Sequence, residues 1–478
     1  MRSIRYNFIM NIILKMSRFI FPLITFPYVS RVLGAIYNGK IAFATSFISY
    51  FAMLAVLGIP TYGVKICAAC RDDKDELSKT VHELLIILAV LLSISYVFFF
   101  VIIFSVPSLF EDRVLLLISS TTILLTSFGV EWFYQAIEQY GYITYRNITV
   151  KIISVILIFV FVKKQKDYIL YGIICVLGSV GSNIINLFKL KQYIYFKRYE
   201  IYNIKRHIKP ILMLFLYVAA VSIYTNLDSV MLKFMANDAQ VGYYSAAIKI
   251  KLVLQNIVTA LGTVLLPKTA YYLQNNMSSK YDKMMRKSFD FVILASLLTI
   301  AFFEIEASDC VMLLAGNQYQ NAIPAMRWII PAVLFIGLSS TTGTQILIPS
   351  GRDRYATLSA AYGAVVDLIF NWILIPRYGA RGAASATLIA EIVVASTQII
   401  VLRKEIKGFI DGRNIVKLIA IIALSVGITI LVNTIMKIDI PFVRICITGV
   451  VFAGAFLVFA IVLGEKTICH ELKKYAKK

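Results

Sequence analysis

Roughly fourteen apolar runs follow one another along the whole chain, and many of them contain a charged residue. Between Gly39 and Ile59, and again between Gly382 and Leu402, such a run reaches about 20 residues. A helix of that length, at about 1.5 Å per residue, crosses a hydrocarbon core about 30 Å thick. A plain membrane anchor does not tolerate Lys, Arg, Asp or Glu in its apolar part, so these charges indicate helices around a polar interior. The pattern predicts a transporter-like membrane protein.

Composition agrees with this class. With 59% hydrophobic residues in 478 and a mean hydropathy of +0.78, the chain has too little polar surface for a soluble fold. We therefore predict an all-α polytopic membrane protein with about fourteen transmembrane helices. No segment near the amino terminus has the pattern of a cleaved signal peptide. The predicted spans are 8–29, 39–59, 84–106, 114–134, 145–162, 168–188, 210–235, 241–266, 289–315, 322–349, 356–375, 382–402, 415–436 and 441–463. The candidate kink residues are Pro22 and Pro27 in the first span and Pro324 and Pro331 in the tenth.

The net charge of +22 would suggest a nucleic-acid partner in a soluble chain, but its placement indicates a membrane orientation instead. Basic residues concentrate on alternate loops, whereas the opposite loops are short and acidic or neutral. This asymmetry predicts a bacterial cytoplasmic membrane protein with both termini in the cytoplasm, and excludes a nucleic-acid partner. The loop Lys163 to Lys166 breaks the pattern. The basic segments are 65–79, 189–209, 268–287, 403–413 and 466–478.

The longest polar connection divides the chain. Residues 189–209 interleave aromatic and basic side chains, which suits the headgroup layer of a membrane, where anionic lipids attract them. An ordinary basic cytoplasmic loop explains the same residues equally well. We predict four parts: a six-helix bundle at 1–188, this linker at 189–209, a second six-helix bundle at 210–402, and a helix pair with a basic tail at 403–478.

An internal repeat supports two bundles of the same orientation around a central cavity. In the segments 31–39 and 233–242, a basic residue at a helix end precedes a short loop, a glycine, and then small and aromatic residues. A weaker third copy runs over 377–386. Chance similarity in small-residue-rich apolar sequence is the competing explanation.

Two short motifs carry no chemistry. Gly34 to Lys40 matches the start of a phosphate-binding loop, but Ile41 replaces the Ser or Thr that holds magnesium. Cys67 and Cys70 have metal-site spacing, but no second pair follows and the chain contains only three His residues. We therefore expect no catalytic residues, no metal and no cofactor.

The charges inside the predicted spans are the candidate site residues, because an unpaired charge at the bilayer centre costs several kcal/mol or more. Matched depths predict the pairs Asp228 with Lys249 and Glu131 with Lys151. For any one of these charges, a structural bridge or a side chain that snorkels to the interface is favoured over substrate contact, and only the set indicates a hydrated polar cavity. Lys233 lies close enough to a helix end to snorkel to the interface. The predicted substrate-cavity residues are Lys15, Arg18, Arg31, Asp228, Lys249 and Lys251, and the candidate ion-coupling residues are Glu131, Asp367, Glu391 and Glu304.

Six short stretches have a recognisable family pattern: 131–138, 142–147, 226–232, 241–249, 349–353 and 382–385. They resemble the bacterial polysaccharide flippases of the multidrug/oligosaccharidyl-lipid/polysaccharide exporter superfamily. Ala136 departs from the family pattern, in which Gly commonly follows the Gln. The resemblance extends to about residue 400 and implies two six-helix bundles around a central cavity.

The resemblance also implies a function. Such a flippase moves an undecaprenyl-diphosphate-linked oligosaccharide repeat unit to the outer leaflet for O-antigen, capsule or a similar surface polysaccharide, and is not an enzyme. Its partners would be this glycan lipid, membrane lipids, H⁺ or Na⁺ and a polysaccharide polymerase. Two cations on the first helix, Lys15 and Arg18, suit an anionic substrate. A cation-coupled multidrug exporter and a lipid II flippase of the same superfamily are the alternatives, the latter because it shares the fourteen-span layout.

Overall fold

The protein is described by a computed structural model over residues 4–275, 277–436 and 440–465. Within these residues all regular secondary structure is helical, as predicted. The chain forms two compact units, residues 1–242 and 243–478. The predicted division into two six-helix bundles, a linker and a terminal helix pair remains a prediction, because the two units do not test its boundaries.

The first unit contains nine helices among the described residues. Short 3₁₀ turns at Pro107–Leu109 and Gln165–Asp167 and a π-helical segment at Leu177–Gly181 connect them. The nine helices are α1 (Ile4–Val56), α2 (Ile59–Ala69), α3 (Lys74–Ser105), α4 (Arg113–Ser127), α5 (Glu131–Ala136), α6 (Tyr140–Phe161), α7 (Tyr168–Val176), α8 (Asn183–Leu190) and α9 (Lys205–Met235).

The second unit begins within the next helix, α10 (Asp238–Gln274). It includes a 3₁₀ segment at Asn317–Ala322 and a π-helical segment at Thr341–Leu347. The remaining helices are α11 (Ser278–Ile305), α12 (Ala307–Ala315), α13 (Ile323–Ile329), α14 (Ala332–Ser340), α15 (Asp353–Tyr378), α16 (Ala380–Val401), α17 (Arg403–Ile406), α18 (Gly412–Ile435) and α19 (Pro441–Val462).

Eleven stretches of the described residues are long and apolar enough to cross a membrane, or twelve when a bent helix pair counts as one span. The first stretch, residues 9–69, has 61 residues and covers two predicted spans, since a membrane needs only about 20. The bent pair, Asn317–Ile329 with Ala332–Leu347, turns by 44° at the predicted kink residue Pro331. Helix α9 corresponds to the predicted seventh span, but several of its side chains lie outside the described part.

Glycine allows the backbone of α1 to change direction. Gly34 has φ +72°, a left-handed conformation that a residue with a Cβ rarely adopts, so the chain turns here without a loop.

At the start of α3, Asp73 accepts hydrogen bonds from the amides of Asp75 and Glu76 and so caps the helix.

The repeat predicted from the sequence has a physical role in the first unit. A Cβ on Gly39 would lie 1.8 Å from the carbonyl oxygen of Asp238, and a Cβ on Gly242 would lie 2.0 Å from that of Ala35. Each repeat glycine therefore packs against the backbone of the other repeat segment, at a distance that only glycine permits. Gly382 of the third segment makes a similar approach, 2.4 Å from the carbonyl oxygen of Leu374 in its own unit.

Candidate functional site

A cavity of about 400 Å³ lies inside the first unit, between α1, α5, α6, α7 and the π-helical segment that follows α7. Its volume falls in the range of small-molecule and cofactor sites. Along α6 the lining residues recur at helical spacing, so one face of this helix forms a wall of the cavity. The lining residues with polar side-chain atoms are Thr25, Glu131, Asn147, Lys151, Ser154, Tyr171, Cys175 and Ser179.

A break between α4 and α5 brings Glu131 to this cavity. Val130, immediately before it, has φ +37°, which is strained for a β-branched residue and costs on the order of 1–3 kcal/mol. Two asparagines of α8 bond the carbonyl groups that the break leaves open: Asn183 donates to Leu125 at 3.0 Å, and Asn186 donates to Gly129. The strained turn is thus held in place by side chains of a neighbouring helix.

Glu131 forms an ion pair with Arg146 of α6. The distance from Glu131 Oε2 to Arg146 Nη2 is 3.6 Å, and the arginine side chain is only 2% exposed, against 26% for the glutamate. Arg146 Nη2 also donates to Asn183 Oδ1 at 3.4 Å, and Gln135 Nε2 donates to Glu131 Oε1 at 3.4 Å. Because a buried guanidinium is costly without a counter-charge, Glu131 compensates Arg146. Sequence reasoning did not single out Arg146 as this partner, although it lies in a stretch that carries the family resemblance.

Lys151 lines the same cavity as Glu131, its predicted partner. Its ammonium group donates to Ser17 Oγ at 3.0 Å and lies 5.7 Å from the centre of the Phe21 ring. Lys151 and Glu131 are the two charged residues of the described lining, and Arg146, which is not part of that lining, is the buried counter-ion of Glu131. The direct pairing of Glu131 with Lys151 remains a prediction.

The other predicted cations occupy different positions. Lys15 is exposed, one residue after the cavity-lining Leu14, and the side chain of Arg18 lies outside the described part. Arg31 is exposed and donates to the carbonyl of Pro27 at 2.5 Å. On α10, Lys249 is half-buried and Lys251 is buried.

Asp228 is buried on α9 in the first unit, whereas Lys249 belongs to the second. Their pairing remains a prediction.

In the second unit, the carboxylates of Asp367 on α15 and Glu391 on α16 are both buried. A Cβ on Gly363, one turn before Asp367, would lie 2.3 Å from Val394 Cγ2, so these helix faces pack closely. Asp367 Oδ2 accepts a hydrogen bond from Asn371 Nδ2 at 3.1 Å. The packing therefore directs both predicted coupling carboxylates toward one helix interface. The third, Glu304 on α11, is half-buried.

The π-helical segment of this unit lies in a network of neutral groups. Gln345 Oε1 accepts from Ser288 Oγ at 2.9 Å, and the Thr342 hydroxyl donates to Gln398 Oε1 at 2.5 Å. Gln398 Nε2 in turn donates to Ser359 Oγ at 2.8 Å. These buried amides and hydroxyls bond one another, so the widened helix turn is stabilised without a charge.

A buried ion cluster connects α1, α4, α9 and the start of α10 within the first unit. The Asp112 carboxylate is 0% exposed and accepts from Lys40 Nζ at 2.8 Å and Lys233 Nζ at 2.5 Å. Asp238 lies 2.6 Å from Lys233 and 3.8 Å from Lys40. Sequence reasoning placed Lys233 at a helix end where it reaches solvent. The structure instead gives it two carboxylate partners, because three helix ends converge here.

The linker is anchored to α3 by a second buried carboxylate. Glu83 accepts from the backbone amide of Asn203 at 2.6 Å, from Arg206 Nη2 at 2.8 Å and from His207 Nε2 at 2.7 Å. Tyr62 OH lies 2.9 Å from His207 Nδ1. Burial lowers the pKa of His207, although the nearby Glu83 carboxylate acts in the opposite direction. The lowered pKa favours a neutral imidazole ring, which donates to Glu83 and accepts from Tyr62.

The sequence matches a known family over more than half of its length. The family described as "Polysaccharide biosynthesis protein" matches residues 4–272. The chain belongs to this family. The match includes residues 4–242 of the first unit, with the cavity and the ion pairs of Glu131, Asp112 and Glu83, and continues along α10.

One curated relative and two solved structures are similar to this chain over most of its length. A "Putative O-antigen transporter" of Escherichia coli (strain K12) is 23% identical over 403 residues, which is 84% of this chain and 97% of that protein. The structure "Lipid II flippase MurJ, inward closed conformation" has a TM-score of 0.74 at 16% identity and covers 96% of this chain and 100% of its own.

An inward-facing multidrug resistance MATE family transporter of the MOP superfamily has a TM-score of 0.62 at 12% identity, over 81% of this chain and 95% of its own. At these identities the two structures show the fold alone. This family member is thus a multi-pass membrane protein with the fold of MOP-superfamily transporters, and the resemblance predicted from the sequence is confirmed.

Proposed function

We propose that this protein is a flippase that moves an undecaprenyl-diphosphate-linked oligosaccharide repeat unit from the cytoplasmic to the outer leaflet of a bacterial cytoplasmic membrane. The glycan would enter O-antigen, capsule or a similar surface polysaccharide. The observation that carries the proposal is the likeness to the E. coli "Putative O-antigen transporter" over 97% of that protein's length. Membership of the polysaccharide biosynthesis family is consistent with it.

The cations of the predicted spans fit this substrate. A lipid-linked sugar diphosphate keeps its apolar tail in the bilayer, while its anionic head needs a hydrated path with positive charge. We assign attraction of the diphosphate to Lys15, Arg18 and Lys249, with Asp228 as the resting partner of Lys249. Arg31 and Lys251 complete the predicted substrate path. Lys151 adds a positive charge to the cavity of the first unit.

We expect the cycle to proceed by alternating access and to be driven by an ion gradient. Glu131 is the only acidic residue among the described lining of the 400 Å³ cavity. It pairs with Arg146 of α6, and Lys151 of the same helix lines the same cavity. Asp367 and Glu391 offer a second candidate site in the other unit, and Glu304 a third. We expect both termini in the cytoplasm and a polysaccharide polymerase as the partner that consumes the flipped unit.

The proposal is tested in a strain from which the gene has been deleted. The full chain should restore the surface glycan, whereas Arg18→Gln and Lys249→Gln should not, at an unchanged amount of protein in the membrane. Lys283→Gln on α11, an exposed lysine that makes no salt bridge among the described residues, is the control and should restore the glycan. Normal glycan with Arg18→Gln and Lys249→Gln would refute the assigned roles, and an unaltered glycan in the deletion strain would refute the function.

A lipid II flippase is the second candidate, because the MurJ structure shares the fold over 96% of this chain. Rescue of a strain depleted of its own lipid II flippase would favour that function. Drug sensitivity of the deletion strain with an intact surface glycan would favour the multidrug exporter instead.

A further inference from the structure

The first three turns of α9 have two unlike faces. On one face, His207 bonds Glu83, and Ile211 is buried in the core of the first unit. Leu214 packs against the same core, and its Cβ lies 2.9 Å from the position of a Cβ on Gly58. This face fixes α9 to the first unit and determines which residues point away from it.

The opposite face carries two lysines followed by large apolar side chains. Lys205 and Lys209 are four residues apart and both exposed, and Leu212 and Met213 are 48% and 66% exposed. An open surface hollow of about 710 Å³ lies along this face, and we call it the groove; all of its described lining belongs to α9. Its described lining residues are Lys205, Ile208, Lys209, Leu212, Met213 and Phe215.

The charge at one end of this groove is not neutralised within the described residues. Neither Lys205 nor Lys209 forms a salt bridge there, whereas Arg206 between them is bonded to Glu83. The preceding linker adds the exposed Arg198, whereas Lys197 beside it is paired with Asp75. The groove thus has a cationic end and an apolar surface along the rest of its length. Its cationic end complements an anionic lipid headgroup, and its apolar surface complements an acyl chain.

The length of the groove corresponds to one leaflet. From Lys205 to Phe215 there are ten residues, which at about 1.5 Å each extend about 15 Å. That is half of a hydrocarbon core about 30 Å thick. A chain that enters at the headgroup level and ends at the bilayer centre is a phospholipid acyl chain.

We propose that this groove binds an anionic phospholipid of the cytoplasmic leaflet, with its phosphate between Lys205 and Lys209 and an acyl chain along Ile208, Leu212 and Met213. The leaflet rests on the membrane orientation of the proposed function, but the lipid is distinct from the transported glycan. It binds where the linker joins α9 and so stabilises the position of the linker at the membrane.

The test measures lipid retention by the purified full-length chain in native mass spectrometry. The protein is mixed with equal amounts of palmitoyl-oleoyl phosphatidylglycerol and palmitoyl-oleoyl phosphatidylcholine, and the ratio of the bound lipids is recorded. The wild-type chain should prefer phosphatidylglycerol. The double variant Lys205→Gln/Lys209→Gln should reduce this ratio about thirty-fold, or about 2 kcal/mol, since each lysine near an anionic headgroup contributes about 1 kcal/mol.

A matched control separates a site from general charge attraction. Lys283→Gln/Lys287→Gln removes two exposed lysines with the same four-residue spacing from α11, and should leave the ratio unchanged. Leu212→Trp, which fills the apolar part of the groove without altering charge, should lower retention of both lipids and keep their ratio. Elution as a single species on size-exclusion chromatography confirms that each variant is folded.

Four outcomes overturn the proposal: no preference in the wild-type chain, an unchanged ratio in Lys205→Gln/Lys209→Gln, an equal loss in the α11 control, or unchanged retention with Leu212→Trp. Displacement of phosphatidylglycerol by undecaprenyl phosphate would assign the groove to the isoprenoid substrate. If phosphatidylglycerol binds only after removal of residues 466–478, the occupant is the chain's own tail. Because the assay needs no glycan, its failure leaves the flippase test independent.

Discussion

Neutralising Asp112 should destabilise the first unit strongly, although the change from carboxylate to amide alters almost nothing in shape. The Asp112 side chain is fully buried and accepts from Lys40 at 2.8 Å and from Lys233 at 2.5 Å. The two lysine side chains are themselves only 12% and 10% exposed. In Asp112→Asn both ammonium groups lose a counter-charge in a place where water cannot fully replace it.

The magnitude follows from what remains. Removing one partner of a buried ion pair costs about 3–5 kcal/mol. Asp238 stays 2.6 Å from Lys233 and 3.8 Å from Lys40, so one carboxylate still compensates both ammonium groups. We therefore expect a loss of unfolding free energy at the lower end of this range, about 3 kcal/mol. At about 2–4 °C per kcal/mol for a unit of this size, the expected decrease in apparent Tm is about 6–12 °C.

Thermal unfolding of the purified protein in detergent, followed by intrinsic fluorescence, measures this decrease. The neighbouring residue provides the control: Glu111 lies 3.8 Å from Lys40 but is 88% exposed, so Glu111→Gln should change Tm by less than about 2 °C. Adding Lys233→Met to Asp112→Asn should restore part of the lost stability, because Asp238 then has one buried ammonium group to compensate instead of two. Equal Tm values for Asp112→Asn and Glu111→Gln would refute the reasoning.

Three further changes test other parts of the molecule. Gly39→Ala should lower Tm by more than 10 °C or prevent folding, because its Cβ would lie 1.8 Å from a backbone oxygen. Glu83→Gln should speed tryptic cleavage of the linker, at residues such as Lys197, about tenfold or more, because the carboxylate bonds three groups of the linker end. Glu131→Gln should reduce the surface glycan at least tenfold at normal membrane levels, because it leaves Arg146 without its counter-charge.

Each of these changes has its own comparison. Gly427→Ala introduces the same methyl group where no atom lies within 4 Å, and should leave Tm unchanged; a loss as large as that of Gly39→Ala would point to a general helix effect. Glu76→Gln, on the exposed first turn of α3, should leave tryptic cleavage unchanged, and slow cleavage in Glu83→Gln would contradict the anchor. Glu131→Asp should retain part of the activity, and a fully active Glu131→Gln would exclude a role for this carboxylate.

Helix positions were accessible from the sequence because each membrane-spanning helix must satisfy its own backbone hydrogen bonds and is therefore apolar over a fixed length. A proline kink is likewise a local property of one helix, and the kink predicted at Pro331 coincides with the 44° bend. The turn at Val130 was not accessible. A valine with φ +37° is contrary to local preference, and it persists because Asn183 and Asn186 of another helix bond the carbonyls around it.

The charged residues show the same division. Depth along a helix is a property of a single helix, and it predicted Glu131 and Lys151 as a pair; both line one cavity, and their direct pairing stays a prediction. Depth did not reveal that Arg146 lies 3.6 Å from Glu131, since this contact depends on the rotation of α6 about its axis. The repeat glycines followed from pattern alone, but their contact with each other's segments is a fact of packing.

By itself, the sequence determined that this chain is an all-helical membrane protein of the polysaccharide biosynthesis family, and where most of its helices lie. Hydrophobic length and family motifs are local, so they can be read without knowing which helices touch. Only the tertiary structure decided which charges compensate each other: Arg146 with Glu131, and Lys233 with Asp112 and Asp238. In a medium that solvates charge poorly, these contacts determine which ions are structural and which face a cavity, and they form between helices that are far apart in the chain.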